Sequence, residues 1–153
     1  MKKKIEDLNC VLLIDDDAAT NLFHKLIIES AGIDTTIQRV SSGSEGLEYL
    51  TSTGRFALQP QFPQPGLILL DIKMPGMNGW EFLREYEKLP DGQKAKVVLA
   101  MLTTSVHPDD LAMAKQFSSI NGFYRKPFSK EMLLEILSTY FPIKETGRQI
   151  GNE

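Results

Sequence analysis

Four places in this 153-residue sequence put chemically capable side chains at the exits of short strand-like runs, the first three of them wholly apolar and the last a brief mixed one. Cys10-Val11-Leu12-Leu13-Ile14 runs into Asp15-Asp16-Asp17, and Leu67-Ile68-Leu69-Leu70 into Asp71 with the loop Lys73-Met74-Pro75-Gly76-Met77-Asn78-Gly79 close behind. Val97-Val98-Leu99-Ala100-Met101-Leu102 is followed by Thr103, and Asn121-Gly122-Phe123-Tyr124-Arg125 by Lys126-Pro127. Short apolar runs bounded by turn residues read as strands buried on both faces, and open α/β sheets bind ligands beyond the carboxyl ends of their strands. Carboxylates, a hydroxyl and an ammonium in such places are the parts phosphoryl transfer requires. The transferring group spreads charge over three equatorial oxygens, so it needs cations and a donor around it and a nucleophile in line. The Asp71 carboxylate can be that nucleophile, giving an aspartyl phosphate.

The intervening stretches supply helices to hold those strands. After Asp17, Leu22, Phe23, Leu26 and Ile27 recur at helical spacing up to a stop at Ala31-Gly32, which predicts a helix packed on the sheet through that stripe. Thr35-Thr36-Ile37-Gln38-Arg39-Val40 is β-branched and partly alternating, as suits an edge strand. Ser42-Gly43-Ser44-Glu45 fits a capping box opening a short helix through Leu47 and Leu50. Residues 53–66, rich in Gly, Gln and Pro, read as a long loop. Trp80, Phe82, Leu83, Tyr86 and Leu89 give a helix with an aromatic inner stripe before the turn at Pro90-Asp91-Gly92. Pro108 opens a helix over 109–117 whose apolar face (Leu111, Ala112, Ala114) is the weakest in the chain. Leu133, Leu134, Ile136, Leu137 and Tyr140 stripe a closing helix over 129–141. Five strand–helix units in alternation imply an α/β fold with a doubly wound parallel sheet and helices on both faces. The chain is expected to be one domain with its core at about 9–141, and with 1–8 and 144–153 as flexible ends.

Composition narrows the function. Net charge is −3, from 17 Lys and Arg against 20 Asp and Glu, and the basic residues cluster only at Lys2-Lys3-Lys4, so direct nucleic-acid binding is disfavoured. The single cysteine, Cys10, opens an apolar strand and reads as a buried thiol. The apolar run after the N-terminal lysines stops at Asp15, too short for a signal sequence, so a cytoplasmic, non-membrane protein is expected.

The segment Leu70-Asp71-Ile72-Lys73-Met74-Pro75-Gly76-Met77-Asn78-Gly79 resembles the phosphoacceptor segment of response-regulator receiver domains, the type of the single-domain chemotaxis regulators. The resemblance extends over about residues 10–141. It implies the flavodoxin-like strand order 2-1-3-4-5, which makes the first and third strands neighbours and brings Asp15, Asp16 and Asp71 to one rim. Three carboxylates so close repel unless neutralised, and hard oxygen ligands suit Mg²⁺. By the same resemblance Asp15 and Asp16 match the acidic pair, Asp71 the phosphoacceptor, Lys73 the residue whose backbone carbonyl binds the metal, Thr103 the switch hydroxyl, Lys126 the pocket lysine, and Phe123 the aromatic that turns inward on activation. The implied donor is a sensor histidine kinase or a histidine phosphotransfer protein. Output is expected through the 109–117 helix, the fifth strand and the 129–141 helix to a downstream protein, with a homodimer also compatible. The implied chemistry is that of a stand-alone signalling module acting only on its own phosphoryl group, not of an enzyme with an external substrate. The 53–66 loop and Thr104, where the family more often has a smaller residue, depart from the pattern.

Two rival functions use the same residues differently. A haloacid-dehalogenase-type Mg²⁺ phosphatase also employs a strand-end aspartate, but in Asp15-Asp16-Asp17-Ala18-Ala19 an alanine stands where that family has Thr or Val. A non-phosphorylated scaffold of receiver type would not need the intact acidic set. His24 and His107 are both expected to be surface histidines near helix starts.

Overall fold

The computed structural model describes residues 2–57, 63–95 and 107–142, with the backbone of 98–103 between them. Strands β1 (Cys10–Ile14), β2 (Thr36–Val40), β3 (Leu67–Asp71), β4 (Val98–Thr103) and β5 (Gly122–Arg125) form one parallel sheet in the order β2-β1-β3-β4-β5. Helices α1 (Ala18–Ser30), α2 (Gly43–Thr51), α3 (Gly79–Glu87), α4 (Pro108–Ala114) and α5 (Lys130–Tyr140) alternate with them. This is the doubly wound arrangement and the order expected from the resemblance.

β1 and β3 are buried along their whole length because a layer lies on each face. Alternate residues divide between the two cores, as the twofold period of a strand requires. Leu12, Ile14, Ile68 and Leu70 pack with Tyr49 and Leu50 of α2 and with Phe82, Leu83 and Tyr86 of α3. Val11, Leu13, Leu67 and Leu69 pack on the other face with Ile28 of α1 and Leu133, Ile136 and Leu137 of α5. Each of these buried side chains is worth about 1.5–3 kcal/mol relative to exposure, so the sheet centre is the most firmly held part of the molecule. Cys10 is buried there, its Sγ 3.4 Å from the Tyr49 hydroxyl.

Several elements differ from expectation. In α1 the stripe Leu22, Phe23 and Leu26 faces outward, at 44%, 49% and 53% exposure, and the buried residues are Asn21, His24 and Ile28. The start of the helix lies over the polar carboxyl rim of the sheet, where carbonyls need donors, and only its later part reaches the apolar layer. His24 is accordingly buried, not on the surface, whereas His107 is exposed and accepts the Asp109 amide as N-cap of α4. Ser42 does cap α2, but Glu45 reaches back to the amide and hydroxyl of Ser41 and not to Ser42. The complete capping box is at α3, where Asn78 and Glu81 bond reciprocally. α4 stops at Ala114, and Met113, Ala114 and Phe117 face the core while Leu111 and Ala112 are exposed. In α5 Leu134 points outward at 49% exposure.

The N-terminal residues, expected to be a flexible end, take part in the fold. Lys3 donates to the Gly32 carbonyl and accepts from the Asp34 amide, bridging to Ile33, and Leu8 is fully buried. Gly66 permits this approach: a Cβ there would run into the Asp7 carbonyl. Part of the 53–66 loop forms a 3-10 turn, Gly54–Phe56, with Phe56 buried edge-on against Tyr49. Residues 58–62 of that loop, Thr104 and the 144–153 tail lie outside the described residues. Among the described residues no helix is long and apolar enough to cross a membrane.

Candidate functional site

The carboxyl ends of β1, β3 and β5 place four of the expected side chains together. β1 stops after Ile14, and Asp15 turns in, 2% exposed, with its Oδ1 accepting the Asp17 amide at 2.9 Å. Asp17 is not part of the cluster; its carboxylate caps α1 by accepting from the Ala19 amide and the Thr20 hydroxyl. Asp71 ends β3, 6% exposed, its Oδ1 facing the Lys73 amide at 3.4 Å. One carboxylate oxygen from each of Asp15, Asp16 and Asp71 lies within 4.8 Å of the others, and Asp16 is exposed. Lys126 follows β5, before a cis bond to Pro127, with Phe128 buried beyond it. Its ammonium sits 2.8 Å from Asp15 Oδ2 and 3.3 Å from Asp71 Oδ1.

The charges do not balance: three carboxylates face one ammonium. Burial pushes the Asp71 carboxyl up to about 6, the Asp15 charge adds to the rise, and Lys126 offsets part of it. For Lys126, burial acts to lower the ammonium, but its bond to Asp15 and the charges of Asp15 and Asp71 outweigh this and raise it. A hard, oxygen-only set with excess negative charge fits a divalent cation, which would relieve the repulsion Lys126 leaves uncompensated.

The remaining expected residues divide. Thr103 ends β4 opposite Arg125, one register step beyond the pair Asp71 and Leu102, so its backbone is at the same rim; its side chain is outside the described residues. Phe123 pairs with Met101 in β5, half-buried against the core layer shared by Met113, Ala114 and Phe117 of the α4 region. Lys73 follows Asp71 by two and is exposed.

Two polar residues at the site were missed by sequence reasoning. Asn21 is buried behind Asp15, donating to backbone carbonyls. His24 is packed edge-on against Phe128 at 5.3 Å between ring centroids. Both lie on the inward side of α1, a placement visible in the sequence only if the Leu22/Phe23/Leu26 stripe is assigned outward. Burial pushes the His24 imidazole down to about 4, although Asp15 pulls it up. The neutral ring is the form that folds. An unfolded histidine takes its proton near pH 6.5, so this contribution to stability is whole above that pH and is lost as pH falls towards 4. Between about pH 7 and pH 5 the group is expected to cost the wild type about 2 kcal/mol that His24→Leu does not lose, measured by urea unfolding at both pH values.

The comparisons with known proteins agree among themselves. The model of the response regulator receiver domain matches residues 11–138. The response regulator Rcp1 of Synechocystis sp. is 31% identical over 101 residues, covering 66% of this chain and 65% of Rcp1. The nitrate/nitrite response regulator NarL of Escherichia coli is 32% identical over 83% of this chain and 52% of its own length. The chain thus spans between half and two thirds of these relatives. Among solved structures, a two-component response regulator from Cytophaga hutchinsonii superposes with a TM-score of 0.72 at 29% identity, over 91% of this chain and 97% of that one. The Mn(2+)-bound form of Rcp1 does so with a TM-score of 0.68 at 25% identity, over 85% and 92%. A strand order, an acidic rim and a sequence model that all point one way leave a single assignment: the chain belongs to the response regulator receiver domain family.

Proposed function

We propose that this chain is a cytoplasmic receiver that takes a phosphoryl group onto Asp71 from a histidine kinase or histidine phosphotransfer protein, with Mg²⁺ held by Asp15, Asp16 and Asp71, and passes the change to a protein target. The observation that carries the reading is the pairing of a buried, charge-crowded Asp71 with both Lys126 and a second carboxylate. An Asp71 oxygen attacks phosphorus in line as the bond from phosphorus to the donor nitrogen breaks, and the donor leaves with the electron pair. The Lys126 ammonium, already within reach of Asp71, takes one of the phosphoryl oxygens, and the Lys73 amide is placed to hold the acceptor carboxylate. Thr103 would supply its hydroxyl from the β4 end, and the Lys73 backbone carbonyl would complete the cation's ligands. The ion, when bound, neutralises charge between the carboxylates and the incoming phosphate. Beyond this self-phosphorylation, and its reversal, no external substrate is assigned.

The outward stripe of α1 supports a partner surface on the donor side. Phe23 lines a groove of about 410 Å³ that runs from Ala19 and Thr20 to Lys126 and Pro127, alongside the acceptor, and Leu22 and Leu26 are exposed on the same helix. Exposed apolar side chains next to a reactive group mark an interaction site. The output surface is assigned to α4, β5 and α5, where Leu111 and Leu134 are exposed, with Phe123 turning inward to couple it to Thr103. The reading is tested with acetyl phosphate. Wild-type protein with Mg²⁺ is expected to gain one phosphoryl group by mass spectrometry, mapped to the peptide containing Asp71, and none with EDTA. A group found elsewhere, or incorporated equally well without a divalent ion, would refute it.

A further inference from the structure

Asn21 occupies a position where an inward-facing residue on a helix is ordinarily apolar, and it is 4% exposed. Its Nδ2 donates to the Asp15 carbonyl at 3.1 Å and to the Val40 carbonyl at 2.9 Å. Both partners are acceptors, so the orientation of the amide is set by its surroundings. The same Val40 carbonyl receives the Asp15 amide at 3.2 Å. Since Ile14 and Val40 are the last register pair between β1 and β2, the side chain extends the closure of these strands by one rung beyond the ladder.

One part of this arrangement costs stability. The Asn21 Oδ1 is buried without a partner among the described residues, and an unsatisfied buried acceptor carries a penalty that a leucine of similar shape would not. The two donated bonds gain something in return: they fix the peptide joining Asp15 to Asp16. From that peptide the Asp15 carboxylate departs towards Lys126 and the Asp17 amide, and Asp16 is presented to solvent with no side-chain hydrogen bond among the described residues. The backbone on either side of Asp16 is held by these bonds to Asn21 and by the Asp17 amide's bond to Asp15 Oδ1, so the distance of the Asp16 carboxylate from Asp71 depends on the peptide Asn21 fixes.

We propose that Asn21 is a positioning residue for the carboxylate cluster: its amide fixes the Asp15–Asp16 peptide and thereby sets the affinity of the rim for a divalent cation. The inference rests on the reading of that cluster as a divalent site. Groups that hold ligands from behind typically change metal affinity by about 10–100-fold when removed.

Two variants and two measurements test it. Asn21→Leu removes both the donor and the orphaned oxygen; Asn21→Asp keeps the shape, removes the donor and adds negative charge. Mg²⁺ is titrated against Trp80 fluorescence, and amide hydrogen exchange is followed in EDTA. In both variants the Asp15 and Asp17 amides are expected to exchange about tenfold faster or more, with Leu12 and Leu69 unchanged, and Mg²⁺ to bind at least about tenfold more weakly. Asn21→Leu should remain folded, the two lost bonds being set against removal of the buried oxygen. Asn21→Asp separates position from charge, because added charge alone would tighten cation binding. Wild-type Mg²⁺ affinity in folded Asn21→Leu, or tighter binding in Asn21→Asp, overturns the proposal, as does faster exchange with affinity unchanged. Loss of the Mg²⁺ response in Asp16→Ala but not in the Asn21 variants overturns the clamp alone. A wild type that does not respond to Mg²⁺ overturns the divalent reading, and this inference with it.

Discussion

Asp71→Asn is expected to abolish phosphoryl uptake from acetyl phosphate and, at the same time, to stabilise the ion-free protein by about 1–3 kcal/mol at pH 7. The first effect follows from the loss of the attacking carboxylate. The second follows from the burial and the Asp15 charge that raise the Asp71 carboxyl to about 6. A carboxyl whose folded value lies above its unfolded one binds protons more readily when folded. Its penalty is therefore absent below about pH 4, grows as pH rises towards 6, and is complete at 7. Asparagine cannot ionise and can still accept from Lys126, so the gain should appear at pH 7 and vanish near pH 4. Saturating Mg²⁺ should narrow the difference, since an ion that binds only the native wild type stabilises it by mass action. Urea unfolding of both proteins in EDTA and in Mg²⁺, at the two pH values, measures all of this. Equal stability at pH 7 in EDTA would mean that Asp71 carries no electrostatic penalty.

Lys126→Met has the opposite sign. The Lys126 side chain is 14% exposed and its ammonium lies between two buried carboxylates, so an apolar side chain of similar length leaves Asp15 and Asp71 facing one another uncompensated. Removing one partner of a buried ion pair typically costs about 3–5 kcal/mol. Water reaching the rim and protonation of Asp71 will soften this, and about 3 kcal/mol is expected at pH 7, or roughly 6–12 °C in melting temperature for a chain of this size. Lower pH should recover part of the loss, because the protonated Asp71 no longer repels Asp15. Mg²⁺ should recover more. Phosphoryl uptake should slow as well, the group that meets the phosphoryl oxygen being gone. A melting temperature within a degree of wild type in EDTA would show that the Lys126 contacts contribute nothing net.

The central strands were legible because runs of four or five apolar residues without a polar position can only be buried on both faces, and their exits named Asp15 and Asp71; Lys126 was found from the Lys-Pro break after a shorter, mixed strand. The strand order was not legible from periodicity and came with the family resemblance. α1 was misread for a physical reason. A stripe at helical spacing marks a buried face where a helix packs on an apolar layer, but here the helix begins over a rim of carbonyls and charges, so Asn21 and His24 face in and Leu22, Phe23 and Leu26 face out. The capping boxes show the same limit at smaller scale. Ser42-x-x-Glu45 and Asn78-x-x-Glu81 fit one pattern, and only geometry sends the first glutamate to Ser41 and the second to its own cap. Lys-rich residues 2–8 gave no sign that Leu8 is core, because a single leucine has no period.

The attachments of α4 are unequal at its two ends. Beyond its last turn Phe117 stacks on Trp80, with centroids 6.0 Å apart and planes 16° from parallel, and the Glu87 carboxylate receives the Ser119 hydroxyl at 2.6 Å and amide at 3.2 Å. Around its first turn His107, Pro108, Asp109 and Leu111 are all exposed. Among the described residues, the contacts that hold this helix gather at its C-terminal end. A helix of seven residues is about 10 Å long, so a swing of about 20° about the Phe117 end carries the other end through about 3–4 Å while the Trp80 stack hardly shifts. Leverage therefore favours the His107 end, the one nearest Thr103 in sequence, and an indole probe at Trp80 sits at the pivot, where motion of this helix is smallest.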